Sequence, residues 1–432
     1  MKSISFTQKS SVVCVFAWLL LTIMGGVILA EPAPLSLSYD DLAPIISQKN
    51  TLIKSELHLI ESEKAKTGHL KRSLLPRLSA SAGTIGFYNG GIDDTKIQPI
   101  GSVDAVINLS RGGQDHTEDK IRNAQVDLTQ ALLQKTMASE LNDAQKLYWD
   151  IVFTEEMNRS IEEVLTQTKR NFEATKRRFN RGLLTQSDLL AFTIYQNKLE
   201  EDIESNHHEK KILLIKLNAI LGLSDTDLVD VTLEMIPHLD DSVLTEAFSA
   251  SQSIEMKEWE MHQKMEALQR QKLSQKNRPT IDIFGNYILY TETEREYADL
   301  ADRGEIAAGI RAQFIFFDAN QRRSDLTSAT LRSSALTQEI AYKTAHMTST
   351  LQSEQEELIH LHELIHWSED RIMQSKKLLA AIFQDYDQGV KTSTDVLTTL
   401  QSHQDIKTSY IRQKRDYQKT KSELLNRLKK PP

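Results

Sequence analysis

The chain has 432 residues, with 52 Lys+Arg against 60 Asp+Glu, a formal net charge of −8 and a single cysteine, Cys14. The acidic balance excludes a nucleic-acid binder, which needs clustered cations to neutralise phosphates, and one Cys excludes a disulfide framework or a Cys-based zinc site. Only 16 Gly and 9 Pro favour long helices over a loop-rich or all-β chain, and a mean hydropathy of −0.41 with one long apolar run excludes a polytopic helical membrane protein.

That run opens the chain. Lys2 and Lys9 precede the apolar stretch from Val12 to Leu29, which holds Gly25-Gly26 and closes on Ala30 before Glu31-Pro32-Ala33-Pro34. A basic start, an apolar middle and a small residue at the end read as a signal peptide over 1–30, cleaved after Ala30. The competing reading is an uncleaved anchor, because about 18 apolar residues just span a bilayer. Cleavage leaves a more acidic, exported chain without cysteine.

Behind the leader the chain is duplicated. The frame from Arg178 to Leu190, with Gly182, Thr185, Ser187 and Asp188, returns from Asp385 to Leu397 with Gly389, Thr392, Thr394 and Asp395, an offset of 207 (182 to 389). Leu75-Pro76 matches Arg278-Pro279 at an offset of 203 (76 to 279), so the second copy is about four residues longer between its proline and its long helix. The first repeat covers 31–222, with a β-hairpin over 78–109 and a helical hairpin turning at Gly182. A segment over 223–253 links it to the second repeat, 254–432, with a β-hairpin over 281–316 and a helical hairpin turning at Gly389. The fold class is therefore mainly α, with four strands per chain.

Each strand is about ten residues long with period-two alternation and Tyr or Phe near its ends, the length of a transmembrane β-strand. Two ordinary soluble hairpins satisfy the same pattern. Four strands cannot close a pore, since small barrels need about eight, so membrane insertion requires several chains to share one barrel.

From Asp115 to Arg181 there is neither Gly nor Pro, which predicts a helix about 100 Å long at 1.5 Å per residue. Ile161, Leu165, Thr168, Phe172, Thr175 and Phe179 form a heptad seam, repeated by Ile372, Ser375, Leu379, Ile382 and Tyr386. Its small and hydroxylated members favour close, curved packing; an intramolecular four-helix bundle is the plainer alternative. Gly182 and Gly389 end their helices in the left-handed conformation. Thr185-x-x-Asp188 and Thr392-x-x-Asp395 then restart them as capping boxes. Both copies thus encode a tight reversal far from the strands, suited to docking or gating as well as to plain structure.

These markers, taken in order with Leu217-Asn218-Ala219-Ile220-Leu221-Gly222, Phe316-Phe317-Asp318 and the turn from Tyr386 to Leu397, resemble the TolC-type outer membrane efflux protein family over essentially the whole mature chain. The resemblance implies a homotrimer whose twelve strands form one outer-membrane β-barrel, continued by a periplasmic α-barrel, with an equatorial region built from the N-terminal segment, the inter-repeat segment and the C-terminal tail. It implies a passive duct of a tripartite efflux or type I secretion system, opened by a periplasmic adaptor and powered by a proton-driven or ATP-driven inner-membrane pump. Matched residue by residue, Tyr386 with Asp188 and Lys391 with Ser187 form aperture contacts, and Asp395 lines a carboxylate ring that favours cations. Lys391 is a different cation from that of the relative compared, and Thr398 stands where some relatives carry a second Asp. Adaptor docking falls on Gly182, Leu183, Leu184 and Thr185 and on Gly389, Val390, Lys391 and Thr392. No enzymatic activity, cofactor or nucleic acid is implied; the alternative is a periplasmic coiled-coil adaptor or structural protein without a pore.

One motif points elsewhere. His362-Glu363-Leu364-Ile365-His366 places two imidazoles one turn apart, as in zinc proteases. It lies inside the long predicted helix, has no third ligand at a familiar spacing, and is matched in the first repeat by Glu155 and Arg159. A solvated helix face is the default reading.

Overall fold

The computed structural model describes residues 35–89, 94–223, 229–231, 248–290 and 304–428. The leader over 1–30 and most of the inter-repeat segment lie outside the described residues. A short strand β1 (Leu35–Leu37) precedes α1 (Leu42–Lys49), α2 (Thr51–Ala65) and α3 (His69–Ser73). Then come β2 (Arg77–Asn89), β3 (Asp94–Arg111), α4 (Gln114–Asn180), α5 (Gln186–Leu221) and β4 (Val229–Val231). The second half contributes α6 (Ile254–Gln275), β5 (Thr280–Tyr290), β6 (Gly304–Gln313), α7 (Gln321–Asp387) and α8 (Ser393–Leu428).

The duplication is carried residue by residue into the helices. Both α4 and α7 have 67 residues and both α5 and α8 have 36, every boundary shifted by the offset read from the turns. Without Gly or Pro nothing interrupts the i to i−4 ladder. Seam hydroxyls are satisfied inside the helix: Thr154, Thr168 and Thr175 donate to carbonyls one turn back at 2.8, 2.7 and 2.9 Å. A polar residue can therefore sit in a packed seam without an orphaned hydroxyl.

Four helices pack side by side, α4 against α5 and α8, and α8 against α7. Near the tips their core holds Ile161, Phe192, Leu379, Tyr386, Val396 and Leu400. A second core, midway, gathers Leu37, Leu42, Tyr148, Trp149, Leu217 and Leu221, where the Tyr39 ring lies 5.7 Å from Tyr148 and 5.3 Å from Trp149. There β1 pairs in parallel with β4, tying the N-terminal segment to the inter-repeat segment.

The other strands form one antiparallel sheet in the order β2-β3-β5-β6, leaving β2 and β6 as edges. The expected hairpin bounds need correction. The first hairpin is longer than 78–109, reaching Arg111, because β5 continues to pair with β3 past a bulge at Asn108/Ser110. In the second, β6 stops at Gln313 rather than Phe316. Gln313 pairs with Thr280, the first residue of β5, and the preceding Pro279 has no N–H to extend the ladder.

Candidate functional site

Two features distinguish the molecule: the paired turns at the helix tips and the two faces of the sheet. At the first tip, Gly182 N–H donates to the Phe179 carbonyl at 2.8 Å and Leu183 N–H to Arg178 at 3.0 Å. At the second, Gly389 donates to Tyr386 at 3.0 Å and Val390 to Asp385 at 2.9 Å. Both are Schellman motifs, with Gly182 at φ 74° and Gly389 at φ 78°, a backbone that only glycine adopts without strain. Nothing crowds either α-carbon, so the dihedral alone demands glycine. The residue after each glycine, Leu183 at 69% and Val390 at 70% exposure, presents an apolar side chain to solvent.

Each turn restarts on a capping box. The Thr185 hydroxyl and amide donate to Asp188 Oδ2 at 2.6 and 3.0 Å, and the Thr392 hydroxyl and amide to Asp395 Oδ2 at 2.8 and 2.9 Å. The Thr185 hydroxyl first, then its amide and the Ser393 hydroxyl, hold the Asp188 carboxyl below the ordinary aspartate value. The Thr392 amide and hydroxyl, with the Lys391 charge, do the same for Asp395.

Tyr386 is 1% exposed, wedged between hairpins. Its hydroxyl lies 2.7 Å from Thr175 Oγ1 on α4 and 3.4 Å from Ser393 Oγ at the start of α8. The Arg178 guanidinium stacks 4.6 Å from the Tyr386 ring centroid and donates to the Asp387 carbonyl at 2.6 Å. Within one chain, then, Ser393 Oγ reaches Tyr386 and contributes to the lowered pKa of Asp188, so it stands between the two. Ser187 is exposed; Leu184 and Lys391 are half-buried. Arg178, Thr175 and Ser393 are contact residues that the sequence does not single out, although Arg178 belongs to the turn motif and Thr175 is a hydroxyl within the apolar seam.

At the opposite end the sheet register sorts side chains onto two faces. One carries Leu78, Ala80 and Ala82 from β2, Val103, Ala105 and Ile107 from β3, Ile281, Ile283, Tyr287 and Leu289 from β5, and Ile306, Ala308, Ile310 and Ala312 from β6. The other is largely polar, carrying Ser79, Ser81, Ser102, Asp104, Asp282, Asn286 and Arg311 together with Ile100, Val106, Phe284, Ile288 and Ala307. Here Ser81 and Ser102 hydroxyls lie 2.8 Å apart, Ser102 donates to Asp104 at 3.0 Å, Asn286 also donates to Asp104, and Arg311 pairs with Asp282 at 3.6 Å. An apolar outer face over a polar inner one is the pattern of a strand set between lipid and water. Among the described residues no helix is long and apolar enough to cross a membrane.

His362 and His366 lie one turn apart on α7, His366 and Glu363 exposed and His362 against the Tyr417 ring at 6.4 Å. The described residues hold no group of three His, Cys, Asp or Glu placed to bind a metal.

No family model and no curated protein sequence matches the chain. Solved structures do. The outer-membrane channel OprN superposes with a TM-score of 0.74 at 12% identity, covering 90% of this chain and 89% of that one. The outer membrane protein VceC of Vibrio cholerae gives 0.71 at 12% identity over 90% and 95%, and the MtrE outer membrane channel of Neisseria gonorrhoeae, in its open state, gives 0.68 at 15% identity over 90% and 88%. The chain thus has the fold of an outer-membrane channel subunit, from the sheet to the helix tips. The likeness carried by the sequence motifs is matched by the fold.

Proposed function

We propose that this protein is an export channel of the outer membrane, assembled as a homotrimer in which three four-stranded sheets share a 12-stranded barrel. The helices continue it as a water-filled duct on the periplasmic side. The observation that carries this reading is the two-faced sheet with both edges open: an apolar surface needs lipid, and unpaired edges need neighbours. Solute moves passively. A periplasmic adaptor docks at the turns 182–185 and 389–392, and a proton-driven or ATP-driven inner-membrane pump supplies the energy. In the closed state Tyr386, Asp188, Ser187 and Lys391 fasten the second helical hairpin, and Asp395 lines the constriction.

Light scattering and planar-bilayer recording of detergent-extracted protein test the reading together. Threefold mass and discrete current steps are expected. Monomeric material that is silent in lipid would reject it.

A further inference from the structure

A cleft of about 450 Å³ opens between α5 of the first helical hairpin and α8 of the second, with α4 beneath it. Met157 and Ile161 of α4, with Leu199 of α5, make its bottom apolar. Tyr195 enters the cleft from α5. It is 5% exposed, yet its hydroxyl makes no hydrogen bond among the described residues. A buried hydroxyl without a partner is costly unless something fills the space beside it.

Two carboxylates line the same cleft: Asp202, two turns along α5 from Tyr195, and Asp405 on α8. Burial first, then the charges of Asp405 and Asp202, push the Tyr195 pKa up to about 12, so the phenol keeps its proton and stands in a negative field. Among the described residues neither aspartate makes an ion pair, although Glu155, Glu163 and Glu200 nearby are held by Lys210, Lys407 and Lys169. Nor does the repeat itself require the set. At the 207-residue offset Tyr195 and Asp202 become Ser402 and Ser409 (195 to 402, 202 to 409), and the place of Asp405 is taken on α5 by Lys198.

We propose that this cleft binds a small organic cation with a primary ammonium head and an apolar body. Three N–H donors match the phenol oxygen and the two carboxylates, and the body covers Met157, Ile161 and Leu199. A bare metal ion would leave that apolar bottom unused, and an anion would be repelled. Lys198, exposed at the rim, is the one cation among the described lining residues and leaves a net charge of −1, two Asp against one Lys. The volume lies within the range of small-molecule sites, about 300–1,000 Å³. Since its anchors come from both hairpins, the ligand bridges them and favours the packed arrangement of α5 on α8.

Equilibrium dialysis of detergent-extracted protein against labelled phenethylammonium tests the proposal. Saturable binding at one site per chain is expected. It should weaken about tenfold or more in Asp202→Asn and in Asp405→Asn, and about fivefold in Tyr195→Phe. Lys198→Gln should tighten it, a gain that no folding defect can imitate. Phenethyl alcohol, which lacks the charge, and calcium chloride, which lacks the body, should not displace the probe at equal concentration. Displacement by either, binding that is the same in all four variants, or no saturable binding would overturn the proposal. The cleft lies within one chain, so the site and the channel fail separately. Monomeric, silent protein that still binds keeps the site without the channel, and conducting protein that does not bind keeps the channel without the site.

Discussion

The Tyr386 hydroxyl, buried where α4, α7 and α8 meet, is bonded to Thr175 and reaches Ser393, with Arg178 stacked on its ring. Removing only that hydroxyl keeps the packing and deletes the bond, so Tyr386→Phe should cost about 1 kcal/mol and leave Thr175 bonded only to its own helix. If this contact fastens the closed end, Tyr386→Phe and Asp188→Asn should each raise single-channel conductance in planar bilayers. Unchanged conductance in both variants would remove these residues from the gate. The sequence points to Tyr386 and Asp188 as aperture residues only through the family resemblance that the turn motifs help to carry. It could not point to Thr175 or Ser393, because a hydroxyl looks the same whether it closes back on its own helix or reaches across to another.

Elements were more legible than contacts. A run without Gly or Pro bounded by Schellman and capping-box residues leaves little freedom in where a helix ends, and α4, α5 and α7 end, and α5 and α8 begin, within a residue or two of where those signals stand. The strand ends were less legible, because β6 stops where its pairing partner does, a fact about β5 rather than about Phe314 or Phe316. The α7–α8 pair also buries a titratable group that periodicity cannot flag. His403 is 6% exposed, its Nδ1 2.8 Å from the Ser375 hydroxyl, and Lys407, Lys376 and Glu163 face it. Burial, aided by the two lysines and opposed by Glu163, pushes its pKa below the ordinary 6.5. The folded state thus resists the proton that the unfolded state accepts. Stability of this pair should be intact above pH 6.5 and fall as the pH drops below it, levelling off once the folded imidazole is itself charged. Urea midpoints between pH 5 and 8 should show that slope in the wild type and lose it in His403→Gln. A slope unaltered by the substitution would assign it to other groups.

At the scale of the whole molecule, the alternation of single strands was too weak to separate a soluble hairpin from a membrane one. The distinction appears only when register aligns four strands and most of their apolar residues fall on one side. Ile310 and Ala307 put it to a matched test: both lie on β6, both are exposed in the single chain, and they project from opposite faces. Arginine on a lipid-facing strand costs about 2–4 kcal/mol near the bilayer midplane, and a threefold ring pays that at each of its sites. Ile310→Arg should therefore deplete the protein from the outer-membrane fraction and abolish the assembled band on unheated gels. Ala307→Arg, facing water, should assemble normally and shift the reversal potential under a salt gradient toward anions, because three added cations line the lumen. Equal recovery of both variants in the membrane fraction would mean that the apolar face does not meet lipid, and the shared barrel would fall with it.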